Sequence, residues 1–298
     1  MVGVGYLDYY IPRDKVHVKD LSLDNSFKTK EEFLEFCNTI LSVEEVSVMV
    51  KEEHEVVSEL LKKLFYTQLS PDSIDVLICV NETDEINNTN FHYQLKHEFK
   101  ISNAYVLNIS GNYCANLDVV IKLAQDLLLA NSHYNNILII GSFRRDNNKR
   151  VFGSYAVLGD GAGILVVNRN PIIQIIHNKV VTNSNLYNMN IKNDDTLLHF
   201  KGLSICLKQL LIENCISNDE IDKIIIQNTN PLLVKNALLI NKFDNKKIFM
   251  NNMKHGHIAF LDFLINLKDL RELYKGITVL SISIGFRGSY VSSLIKIN

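Results

Sequence analysis

The stretch NISGNYCANLDVVIKLAQDLL places Cys114 where a strand-like apolar run ends and a helix-period run begins. A thiol at the first turn of a helix faces N–H groups that lack intrahelical partners and the positive end of the macrodipole. Both favour the nucleophilic thiolate, and a nucleophile at the apex of a strand–turn–helix is the logic of the nucleophile elbow. The same residue also reads as a small buried hydrophobe, because free cysteine packs like one. Three other groups follow strand-like runs, the ends at which open parallel sheets bind ligands. They are Gln227–Asn230 in QNTN, His255 and His257 in KHGH, and Gly285–Gly288 in IGFRGS. A histidine can take up or deliver a proton near neutral pH, whereas a glutamine amide only exchanges hydrogen bonds. The plainer readings are a helix-start cap for the histidines and an Asn-rich turn bonded to its own backbone. His-x-His alone is a weak metal signal, and no metal site is expected.

The glycines of VLGDGAGILVV run G-x-G-x-G and lead into a strand. A dinucleotide loop needs G-x-G-x-x-G leading from a strand into a helix, so these glycines predict a tight turn with close backbone packing instead. The cluster FRRDNNKR at 143–150 predicts a solvated basic loop.

The elements that must position these groups alternate along the 298 residues in an α/β pattern. Strands are predicted at 2–6, 74–80, 104–109, 136–141 and 163–167, then at 172–180, 223–227, 247–250, 278–284 and 290–296. Helices are predicted at 52–65, 90–99, 114–130, 197–214, 231–240 and 257–267. SPDSIDVLICVNET (Ser70–Thr83) aligns without a gap on SNDEIDKIIIQNTN (Ser217–Asn230), each following an amphipathic helix. A duplicated α/β half is the simplest source of this repeat. The expected units are residues 1–170, which carry the nucleophile, and residues 171–298.

Composition sets the outer bounds. A formal charge of -2 with 47% hydrophobic and 21% charged residues is globular and gives no electrostatic reason to expect nucleic acid or an anionic membrane as partner. No apolar run reaches the roughly 18 residues that span a bilayer, and no secretory signal opens the chain. The five cysteines are odd in number and widely spaced, as expected of reduced thiols in a cytoplasmic protein.

Taken in order, these segments resemble the thiolase-fold condensing enzymes, most of all ketoacyl-acyl-carrier-protein synthase III, over almost the whole chain. VGVGYLDYYIP is similar to that family's opening strand, SGNYCAN to its nucleophile segment, and LGDGAG (Leu158–Gly163) to its FGDGAG signature. QNTN falls on its HQAN turn, HGHIAFLD on its HGNTSAAS segment, and IGFRGSYVSSLIKI on its closing glycine turn and strand. The resemblance implies a thiolase-like fold: two duplicated α/β halves packed as a layered α-β-α-β-α unit. It implies an acyl-Cys114 intermediate, with Gln227 and His257 flanking the acyl carbonyl. Backbone N–H groups of Cys114, Gly285 and Gly288 would form the oxyanion hole, and Asn230, His255 and Phe286 would line the substrate pocket. It further implies an acyl-phosphopantetheine thioester as substrate without a separate cofactor, an acyl carrier protein or acyl-CoA as partner, and a homodimer or a heterodimer with a homologue. The setting would be fatty-acyl, polyketide or other specialised biosynthesis.

The chain departs from the pattern at two catalytic positions: Gln227 stands at the family's histidine and His257 at its asparagine. Only His257 can carry a proton, which suits acyl transfer to a hydroxyl, amine or carbanion with His257 as base. The segment EEFLEFCNTILSVEEVSVM lacks the tryptophan and arginines by which the family grips coenzyme A, which favours a carrier-bound donor. Two alternatives use the same residues differently: a thioester hydrolase, and a catalytically silent subunit paired with an active homologue.

Overall fold

The computed structural model describes residues 1–81, 91–186, 196–250 and 253–298. Its main sheet contains β1 (Gly3–Tyr10), β2 (Val76–Val80), β3 (Tyr105–Ile109), β4 (Asn136–Phe143) and β5 (Gly161–Asn168). These are followed by β6 (Ile173–Thr182), β7 (Lys223–Ile226), β8 (Ile248–Phe249), β9 (Thr278–Gly285) and β10 (Ser289–Ile297). The helices are α1 (Lys30–Phe36), α2 (Glu53–Thr67), α3 (Phe91–Glu98), α4 (Asn116–Ala130), α5 (Thr196–Glu213), α6 (Pro231–Ile240) and α7 (Leu261–Leu273).

Strand order across the sheet is β8-β7-β9-β10-β6-β1-β5-β4-β2-β3. The first five strands in sequence, read outward from β1, therefore repeat the order of the last five read outward from β6. In each set three strands are parallel, and the next two run antiparallel to their neighbours. The sets meet where Gly3 pairs with Gln174 and Val4 with Ile173, so the two sheet layers are parts of one hydrogen-bonded sheet. A side chain at position 3 would come within 2.3 Å of the Ile173 carbonyl, which is why this seam begins on glycine.

Alternate residues of each strand feed different cores, as the period of two requires. Leu77, Cys79, Leu138 and Ile140 pack under α2 and α3, while Val76, Ile78, Ile137 and Ile139 face α4 and α7. In the second set, Ile224, Ile226, Leu280 and Ile282 pack under α5 and α6, and Ile225 and Val279 join the central core. The layers run helix, sheet, helix, sheet, helix. α7 shows the consequence in its sequence, for every residue from Leu261 to Leu267 is buried. A helix apolar on nearly all sides needs cover on all sides, and the middle layer supplies it. No helix among the described residues is long and apolar enough to cross a membrane.

The first strand, expected at 2–6, runs on to Tyr10, and two helix starts move by two residues or more. The helix expected from His257 begins at Leu261, because His257 itself bridges in parallel to Leu158. The helix expected from Cys114 begins at Asn116, after a 3-10 turn over Tyr113–Ala115. Residue 90, the expected start of α3, lies outside the described residues, as do Glu82 and Thr83 of the aligned repeat.

Candidate active site

Cys114 is carried on a strained turn. Between β3 and α4, Gly111 and Tyr113 both adopt positive φ, at 93° and 50°. For a tyrosine that conformation is disfavoured and persists only where its surroundings enforce it. Asn116 enforces it from inside: its Oδ1 accepts the Asn112 N–H at 2.9 Å, and its amide donates to the Asn81 carbonyl. From the other side, Ser289 Oγ donates to Asn112 Oδ1 at 3.0 Å. Gly285 lies so close that a Cβ there would sit 2.2 Å from the Asn112 carbonyl. The thiol is left 7% exposed.

His257 reaches the thiol from the other strand set, and the glycine signature explains how. The His257 N–H donates to Val157 O at 2.8 Å, and the Gly159 N–H donates to His257 O at 3.0 Å. A side chain on Gly159 would lie 2.0 Å from the His255 carbonyl, so this approach requires glycine. Between the glycines, Asp160 is fully buried and receives the Arg150 guanidinium as a fork at 2.8 and 2.9 Å. The N–H groups of Met49 and Arg145 complete its shell at 2.7 and 3.0 Å. LGDGAG is thus a clamp on the histidine loop. Arg150 corrects the expectation of a solvated basic loop: it is 1% exposed, because the buried Asp160 needs a countercharge.

The ring of His257 has a partner at each nitrogen. Nε2 lies 3.2 Å from Cys114 Sγ, and Nδ1 lies 2.5 Å from Asp262 Oδ2. Asp262, on the first turn of α7, also accepts the Asn228 N–H at 2.7 Å and the Ile258 N–H at 2.9 Å. Burial opposes a charge on the ring, but Asp262 and then Cys114 outweigh it and raise the His257 pKa well above its ordinary value. The three side chains form a line, Cys114–His257–Asp262, in which the cation favours a thiolate at one end and is oriented by a carboxylate at the other.

The other expected site residues divide. Gln227 is buried behind Cys114: its Nε2 donates to the Cys114 carbonyl at 2.6 Å, and its Oε1 accepts the Ile284 N–H at 2.8 Å. Both ends of the amide are therefore engaged with backbone, and the side chain does not reach the cavity as expected of an acyl-carbonyl donor. Asn230 lines the cavity, yet its amide donates to Ser154 O and caps α6 by accepting the Leu232 N–H. His255 turns away from the cavity to Ser47, 3.1 Å from its hydroxyl. The reversal comes from Gly256, whose φ of 76° turns the chain between the two histidines. The Gly288 N–H closes the β9–β10 turn onto Gly285 O at 3.0 Å, which removes it from the expected oxyanion pair. Phe286 lines the cavity as expected. Asp262 was not singled out in the sequence, although a carboxylate inside FLDFLINL is a charge that must find a buried partner. Asp118, one turn below Cys114, accepts the Ser283 hydroxyl at 2.6 Å, and its burial pushes the carboxyl up to about 7.

Cys114 and His257 open into a cavity of about 820 Å³ beneath α5 and α6. No protein-family model and no curated protein sequence matches the chain. Solved structures do. The chain superposes on 3-oxoacyl-[acyl-carrier-protein] synthase III from Aquifex aeolicus with a TM-score of 0.80 at 17% identity, covering 99% of this chain and 100% of that one. It has the thiolase fold. An acyltransferase, ChlB3, superposes with a TM-score of 0.80 at 14% identity, over 99% of this chain and 97% of its own. A histidine-to-asparagine variant of OleA from Xanthomonas campestris does so at 0.80 and 13% identity, over 99% and 98%.

Proposed function

We propose that this chain is a thiolase-fold acyltransferase that works through an acyl-Cys114 intermediate. The observation that carries the reading is the 3.2 Å approach of His257 Nε2 to Cys114 Sγ with Asp262 behind the ring. The thiolate attacks the carbonyl of an acyl thioester, carrier-bound or on coenzyme A. His257 protonates the departing thiol. The acyl group then passes to a hydroxyl or amine, from which His257 removes the proton. The backbone N–H of Cys114 and that of Gly285 are the oxyanion donors of this reading.

Transfer is favoured over decarboxylative condensation by the use made of Gln227. Condensation, as the resemblance describes it, needs two side chains donating to a malonyl carbonyl, and Gln227 is tied to backbone on both sides. Gln227→His separates the two: if only a base had been lost, the histidine would restore condensation. On our reading the imidazole breaks the link between Cys114 O and Ile284 N, so transfer falls and no condensation is gained.

The direct test weighs the intact protein after incubation with a panel of acyl-carrier and acyl-CoA thioesters. A mass gain equal to the acyl group, absent from Cys114→Ala, is expected. No gain across the panel, with a co-purifying homologue acylated instead, would make this chain a silent subunit.

A further inference from the structure

The cavity over Cys114 is wider than a thioester arm requires. At about 820 Å³ it falls in the range of pockets that enclose a whole small molecule. The described lining of this cavity contains no Asp, Glu, Lys or Arg. Among the described residues its mouth is apolar, for Leu197, Leu239 and Ile240 line it while remaining more than half exposed.

The wall beside the thiol is aromatic and held in place. Phe286 packs edge-on against Phe152 at 4.7 Å between centroids and against Tyr155 at 6.0 Å. Tyr155 in turn meets the ring of His199 at 6.1 Å, and His199 Nδ1 lies 3.1 Å from the Tyr290 hydroxyl. Tyr290 is itself fixed by Gly202, where a side chain would come within 2.1 Å of its ring. Rigid aromatic rings favour a flat, unsaturated guest, which offset and edge contacts hold best.

Building on the acyl-transfer reading, we infer that this cavity is the acceptor site, and that the acceptor is an uncharged, planar, apolar small molecule carrying a hydroxyl or amino group. With a hydroxyl acceptor, its O–H bond breaks and the proton passes to His257 Nε2. The oxygen bonds the acyl carbon, and the carbon–sulfur bond breaks. Cys114 leaves as the thiolate facing the imidazolium.

The test uses the full chain and two probes, 2-naphthol and its 6-sulfonate, with binding followed by naphthol fluorescence. 2-Naphthol should bind saturably and at least tenfold more tightly than the sulfonate. Leu239→Arg, which sets a charge at the mouth, should weaken naphthol binding at least tenfold. Leu129→Arg, the same change on the solvent face of α4 at a residue 69% exposed, should leave it unchanged. Equal binding of both probes, no saturable binding, or an indifferent Leu239→Arg overturns the proposal. Thioester loading of Cys114 is read separately by mass. Loading without naphthol selectivity sinks the acceptor site and leaves acyl transfer standing; selective binding without loading does the reverse.

Discussion

Replacing Asp262 by Asn changes one atom and removes the charge behind His257. The carboxylate accepts three hydrogen bonds: from His257 Nδ1 at 2.5 Å, Asn228 N at 2.7 Å and Ile258 N at 2.9 Å. In either rotamer an amide sets its NH₂ against at least one of these donors. A hydrogen bond to a charged group contributes about 1.5–3 kcal/mol, and one pKa unit corresponds to about 1.4 kcal/mol. Losing that support for the imidazolium thus lowers the His257 pKa. That loss of about 1.5–3 kcal/mol should shift the equilibrium toward the thiolate–imidazolium pair down by about 10- to 100-fold. The assay is the second-order rate of Cys114 alkylation by iodoacetamide, followed by intact mass from pH 6 to 9. The variant should alkylate at least tenfold more slowly at pH 7 and converge on the wild type at high pH. His257→Gln, which keeps a neutral amide at the thiol, should be slow in the same way. If Asp262→Asn folds and alkylates at the wild-type rate throughout, the line of three residues does not activate the thiol.

Gly285→Ala should push Asn112 and the turn behind it, costing about 1–3 kcal/mol by overpacking. Alkylation of Cys114 should slow even though residue 285 carries no functional side chain, and an unchanged rate would break the link from this turn to the thiol. Arg150→Met leaves Asp160 buried without its countercharge and should destabilise by about 3–5 kcal/mol in urea unfolding. Arg150→Met/Asp160→Leu should regain part of that loss, and a double variant no better than the single would refute the charge account. The pH dependence of stability follows from His257. Its folded pKa is raised above an unfolded value near 6.5. Its contribution is therefore full below about pH 6.5 and is lost as pH rises through the folded value. The stability gap between wild type and His257→Gln should be wider at pH 6 than at pH 9; a gap that widens toward alkaline pH has the wrong sign for this assignment.

Local pattern carried the fold far. Continuous apolar runs announced β2, β4 and β7 because both faces of those strands are covered, and the aligned repeat matches the strand order seen in both sets. The short antiparallel pairs at 15–17 with 45–47 and at 151–152 with 156–157 were not anticipated. Pairs of two or three residues leave no periodicity to read. At the site, Cys114 and His257 were singled out by their places beyond strand ends and by the family resemblance, and the structure sets them 3.2 Å apart. The partners of Gln227, Asn230 and His255 were not legible. Each is a flexible polar side chain whose direction depends on which distant group comes within reach: the Ser154 carbonyl for Asn230, the Cys114 carbonyl for Gln227 and the Ser47 hydroxyl for His255. Asp262 was missed for the complementary reason: its role exists only once α7 starts four residues after His257, and the sequence pattern had placed that start on the histidine itself.

The span between the reacting partners bears on how the chain is made. Cys114 and His257 lie 143 positions apart, and the turn that supports the thiol also awaits Gly285 and Ser289. During N-to-C synthesis, the cysteine leaves the ribosome long before any group that activates it. Until then it has no imidazole beside it, and its turn lacks the packing that Gly285 and Ser289 supply. A chain stalled or truncated before His257 would carry Cys114 without the ring that faces it, so on the proposed reading unfinished copies would not trap acyl groups.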